Sequence, residues 1–162
     1  MTESILPPAA AIPVADDKLA RRNVVVLASA QALAGAGAPI AISLGGIVGF
    51  YLLGTDKTLA TVPVTAFVVG TALATLPAGV LAKRFGRRRG LMTGSLIGIC
   101  GGLLAAYGIF LSFFWLFCLG VLFAGANSAF VQQYRFAAAD TASESFRPKA
   151  ISWVMAGGVL AG

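Results

Sequence analysis

The 162-residue chain is 58% hydrophobic and only 11% charged, with mean hydropathy +0.88, a net charge of +6 and no histidine. A water-soluble domain carries about a quarter charged residues, so a globular soluble fold is excluded and an integral membrane protein is indicated. The basic residues stand at the ends of apolar runs rather than along one face, which excludes a nucleic-acid partner, and the missing histidine removes the usual metal ligand and general base.

Residues 1–22 begin Pro- and Ala-rich, with Glu3, Asp16 and Asp17 and no periodicity, and read as a cytoplasmic N-terminal tail. Arg21 and Arg22 then precede VVVLASAQALAGA, which has the small-x-small spacing of a signal-peptide cleavage site. The uncharged run continues, however, from Asn23 to Thr55, 33 residues, too long for a signal-peptide core. It reads as a first membrane span over 24–53, containing Pro39, a residue that frees a carbonyl and bends a membrane helix. A polar turn, GTDKTLA, leads to a second span over 61–82.

The next stretch, GVLAKRFGRRRG, holds five of the twelve Lys and Arg residues between Lys83 and Arg89. A third span over 91–110 and a fourth over 113–136 follow, then a polar connector at 137–149 and the start of a fifth span at 150–162. Thirteen residues of helix reach only about 20 Å, short of a hydrocarbon core of about 30 Å, so the chain reads as a fragment ending inside its fifth helix. With the tail inside, eleven of the twelve cations lie on the inner side and Lys57 alone lies outside, the signature of a cytoplasmic N-terminus. Cys100 and Cys118 fall inside apolar runs and read as small buried hydrophobes.

In the basic stretch, Gly79-x-Leu81-Ala82-x-Arg84-x-Gly86-Arg87-Arg88 resembles the loop signature of the major facilitator superfamily, G-x-L-a-D-r-x-G-r-k/r between helices two and three. The resemblance extends to QQYRFAAADTASESFRPKAISWVMAGGVLAG, which is similar to the family's helix four, connector and opening of helix five. It implies an all-α transmembrane bundle, the N-terminal six-helix half of a bacterial permease, interrupted within helix five. Gly79 then allows close helix approach, Gly86 turns the chain with positive φ, and the arginines pair with acids or helix ends. Lys83 stands where the family has an aspartate. The nearest acids expected on that side are Asp140 and Glu144, and Arg87 is expected to pair with Asp140.

Halves of this family contain two inverted three-helix repeats. LAGAGAPI (33–40) and FAGANSAF (123–130) share A-G-A at an offset of 90, matching helix one to helix four. The resemblance implies that these two helices line the central cavity, making Gln31 and Asn127 the candidate solute contacts, as amide donors and acceptors. Interhelical hydrogen bonding is the alternative role for such amides. Gln132 and Gln133 read as interfacial, and no charged residue is expected deep in a span. Gly94-x-x-x-Gly98-x-x-x-Gly102 reads as a packing stripe.

The expected function is solute transport by alternating access, with the lipid bilayer of a bacterial inner membrane, a small-molecule solute and the missing C-terminal half as partners, and without cofactor or metal. A non-transporting interaction subunit or an inactive truncated product is the alternative. Enzymatic chemistry is not expected, since paired carboxylates and phosphate-cradling loops are missing from the spans. The chain resembles bacterial importers of riboflavin-like vitamins, and drug or metabolite exporters fit as well.

Overall fold

The computed structural model describes residues 17–54, 58–141 and 147–159. The tail over 1–16, Lys57, Glu144 and Gly162 therefore lie outside the described residues. Every regular element is a helix: α1 (Asp17–Gly35), α2 (Gly37–Leu52), α3 (Val62–Phe85), α4 (Arg87–Phe110), α5 (Phe114–Val131), α6 (Tyr134–Thr141) and α7 (Arg147–Val159). Four stretches are long and apolar enough to cross a membrane: Arg21–Leu52, Val62–Phe85, Arg87–Phe110 and Phe114–Asp140.

The first of these stretches, expected as one span over 24–53, is divided between α1 and α2 at Ala36. Pro39 has no N–H to offer the carbonyl of Gly35 one turn earlier, and its ring crowds that carbonyl. The helical start at Asp17 also moves residues 17–22 out of the expected tail. The fourth stretch divides as well. α5 ends at Val131, the Gln133 amide turns back to the Phe130 carbonyl at 3.0 Å, and α6 carries the chain to Thr141. No proline or glycine marks that break, and much of the expected connector over 137–149 is helical, with α7 beginning at Arg147 rather than Ala150.

Small residues make the closest helix crossings, Phe67, Phe114, Phe117 and Phe130 are buried among them, and many other large apolar side chains face outward. Among the described residues no polar or charged side chain is buried, whereas Leu33, Leu76 and Phe110 are more than four-fifths or nearly so exposed (83%, 80% and 85%). That distribution suits a lipid solvent, in which helices associate through close backbone packing rather than apolar burial. A Cβ on Gly70 would overlap the Leu122 carbonyl, and one on Gly125 would overlap that of Phe67, so α3 and α5 meet backbone to backbone. The Thr71 hydroxyl lies 2.9 Å from the Gly125 carbonyl and 3.0 Å from that of Phe67, tying the same crossing.

The α4 stripe differs in register from the one read in the sequence. A Cβ at Gly98 would lie 2.7 Å from the Asn127 Cγ, and one at Gly101 would lie 2.8 Å from the Ala124 nitrogen, but Gly102 meets nothing within 4 Å. Gly90, Gly94, Gly101 and Gly108 are the buried glycines, a spacing that follows one face of a straight helix across its whole length. Cys118 is buried as expected, but Cys100 is exposed on the lipid-facing side of α4. On the other flank, Gly157 of α7 packs on α1, where an added Cβ would approach the Ala28 carbonyl to 2.5 Å.

Candidate functional site

Two adjoining hollows lie between these helices. One, about 300 Å³, lies between α1, α5, the start of α6 and α7, and is lined by Gln31, Ser128, Gln132, Arg135, Val154 and Gly158 among others. The second, about 390 Å³, lies between α2, α4 and α5 and is lined by Asn127, Ser95, Phe67 and Tyr134 among others. Ala34, Ala38, Ser128 and Val131 border both.

The offset of 90 residues maps onto this space. Ala34, Gly37 and Ala38 correspond to Ala124, Asn127 and Ser128, and all six line the second hollow. Residues at matching positions of the two stretches that share a sequence pattern thus line one cavity. Small residues at five of the six positions keep it open, and Asn127 supplies its polar group. Gln31 and Asn127 border different hollows, with the shared wall between them. Each also packs against a glycine: the Gln31 Nε2 would lie 3.3 Å from a Cβ on Gly158, and Asn127 covers Gly98.

Sequence reasoning missed Arg135, Ser128 and Tyr134. Arg135 was counted only among the inner-side cations, yet its guanidinium borders the hollow that holds Gln31. It lies near the end of the fourth membrane-length stretch, five residues before Asp140. Gln132, expected at the interface, borders the same hollow. Gln132 and Arg135 flank the break between α5 and α6.

At the basic end of the bundle, Gly86 (φ 84°) makes the turn between α3 and α4, a conformation that disfavours any side chain. Lys83 and Arg84 occupy the last turn of α3, where cations complement the helix dipole. Arg87, Arg88 and Arg89 open α4 instead, where the dipole opposes them. The third span therefore begins one turn before the expected Leu91 and takes in those three arginines. Arg87 Nε is paired with Asp140 Oδ2 of α6. A hollow of about 440 Å³ next to this pair is lined by Gly79, Lys83, Gly86, Gln133 and Phe136. Nearby, Arg147 Nε donates to the Ala139 carbonyl at 3.2 Å, joining α7 to α6.

Long apolar helices, glycine-mediated crossings and a hollow between the helices define a polytopic α-helical membrane protein. The description of the Major Facilitator Superfamily matches residues 27–162, and the chain belongs to that family. It is 51% identical over 146 residues to the riboflavin transporter RfnT of Brucella anthropi, covering 90% of this chain and 36% of the relative. It is 32% identical to the uncharacterized MFS-type transporter YdeG of Bacillus subtilis, covering 88% of this chain and 33% of the relative. The chain thus spans about a third of the length of the curated relatives it matches. No solved structure matches it.

Proposed function

We propose that the chain forms the N-terminal part of a secondary transporter that moves a small solute by alternating access, rocking against a C-terminal half around a site near the membrane midplane. The solute is riboflavin or a similar flat vitamin, a reading supported by the 51% identity to a riboflavin transporter. The observation that carries the transport reading is the cavity walled by the two related stretches, 34–38 and 124–128. Asn127 in that cavity and Gln31 in the adjoining hollow offer amide hydrogen bonds to the solute, and Ser128 borders both. The basic loop, Gly79 to Arg88, lies on the cytoplasmic side of a bacterial inner membrane with the N-terminus, a placement supported by eleven of twelve cations. There the Arg87–Asp140 pair holds the α3–α4 turn against α6.

The test joins this chain in frame to the C-terminal remainder of the Brucella transporter, in a bacterium unable to make riboflavin. Growth on micromolar riboflavin and saturable uptake are expected. Asn127→Ala and Gln31→Ala are each expected to raise KM roughly two- to tenfold, the worth of one hydrogen bond. Normal membrane abundance without uptake would favour a non-transporting interaction subunit instead.

A further inference from the structure

Arg135 is the one charged group of the described residues bordering the hollow beside Gln31, and its Nε is buried without a hydrogen-bond partner. The guanidinium carbon lies 4.8 Å from the centre of the Phe136 ring, which holds one face of the plane but accepts no N–H bond. The nearest carboxylate on the same helix, Asp140, is five residues on and is engaged by Arg87. Leaving a buried donor unsatisfied is costly, and a charged one inside a membrane span more so. A cation aimed only at lipid headgroups would extend outward along the helix. Arg135 instead lines the hollow together with Gln31, Ser128 and Gln132.

We infer that Arg135 is a solute contact, donating its planar pair of N–H groups to the acceptor edge of a flat heteroaromatic ring, where a ring nitrogen adjoins a carbonyl. The inference rests on the riboflavin reading above and deepens it. The isoalloxazine ring presents such an edge at N1 and the C2 carbonyl, and a guanidinium fork matches two adjacent acceptors in one plane, which an ammonium does not. Gln31 across the hollow offers both a donor and an acceptor to the remaining edge atoms. Small residues on the facing helices, Gly158 and Ala34, leave room for a ring to lie between them.

The experiment uses the same in-frame fusion and measures uptake of riboflavin and of 1-deazariboflavin, which lacks the N1 acceptor. Arg135→Gln is expected to raise KM for riboflavin about tenfold, equivalent to about 1.4 kcal/mol. It should raise the KM for 1-deazariboflavin by clearly less, because the analogue has already lost the N1 bond of the pair that the variant removes. Arg135→Lys is expected to fall between parent and Gln variant, since it keeps the charge and loses the fork. A parent-like KM for riboflavin in the Gln variant overturns the inference while leaving the riboflavin reading intact. If the Gln variant is missing from the membrane, the Lys variant decides: a raised KM supports the contact and a parent-like KM overturns it. No riboflavin uptake by the parent fusion overturns both the substrate reading and the inference.

Discussion

Gly125→Val is expected to abolish the folded bundle, reducing monodisperse protein on fluorescence-detected size exclusion to near background. The α3–α5 crossing meets backbone to backbone at two glycines, since Gly125 lies against the Phe67 carbonyl and Gly70 against that of Leu122. A branched side chain at either position must push two backbones apart. The rigid displacement would also break the Thr71 hydroxyl's contact with the Gly125 carbonyl, 2.9 Å long. Overpacking in a close-fitting core costs about 1–3 kcal/mol where a side chain can yield. Here the obstacle is backbone on both helices, so the cost is expected at or above the top of that range. Gly102→Val is the matched control, because nothing lies within 4 Å of that position. Parent-like yield from Gly125→Val would mean that the two helices do not cross as described.

The second large effect is expected on transport rather than on stability. Arg87→Asp and Asp140→Arg should each lower the uptake rate of the fused transporter by roughly tenfold or more, and the double variant should recover most of it. The Asp140 side chain is 57% exposed and that of Arg87 34%, so solvent screens the pair and its share of folding stability is small. Its leverage comes from position. Three arginines begin α4 at the positive end of the helix dipole, and Asp140 is the only carboxylate among the described side chains available to offset them. Either single reversal leaves like charges facing each other across the α4–α6 contact, which disturbs the turn that joins α3 to α4. A double variant no better than the singles would mean that the pair does not act as a unit.

Much of the fold was legible because membrane spans obey strong constraints. Uninterrupted apolar runs identified the crossing stretches, and the basic residues between them marked the turns. Gly86 and the Arg87–Asp140 neighbourhood followed from the loop signature. The helix breaks were less legible. Pro39 announced a perturbation but not that α1 would stop at Gly35, while the α5–α6 break at Gln132 and Gln133 has no local signal. Arg135 read as another anchoring cation, although it lines the hollow beside Gln31. The glycine stripe on α4 shows a related limit. A strict four-residue spacing selected Gly102, whereas a helix of 3.6 residues per turn brings Gly101 to the contact face. Of the repeated A-G-A pattern, Ala34 and Ala124 line the second hollow, whereas Gly125 serves the crossing with α3.

The most direct measurement is the water accessibility of Ser128, which borders both hollows at the centre of the proposed solute path. Ser128→Cys would be introduced into the fused transporter with Cys100→Ser, because Cys100 is the exposed native thiol of this chain, and with the fusion partner's own cysteines replaced. A charged, membrane-impermeant thiol reagent should label Cys at 128, and saturating riboflavin should slow that labelling. Cys placed at Leu96, 63% exposed on α4 and outside both hollows, should remain unlabelled in the bilayer. Labelling at 96 but not at 128, or labelling at 128 that riboflavin leaves unchanged, would contradict a solute path between these helices.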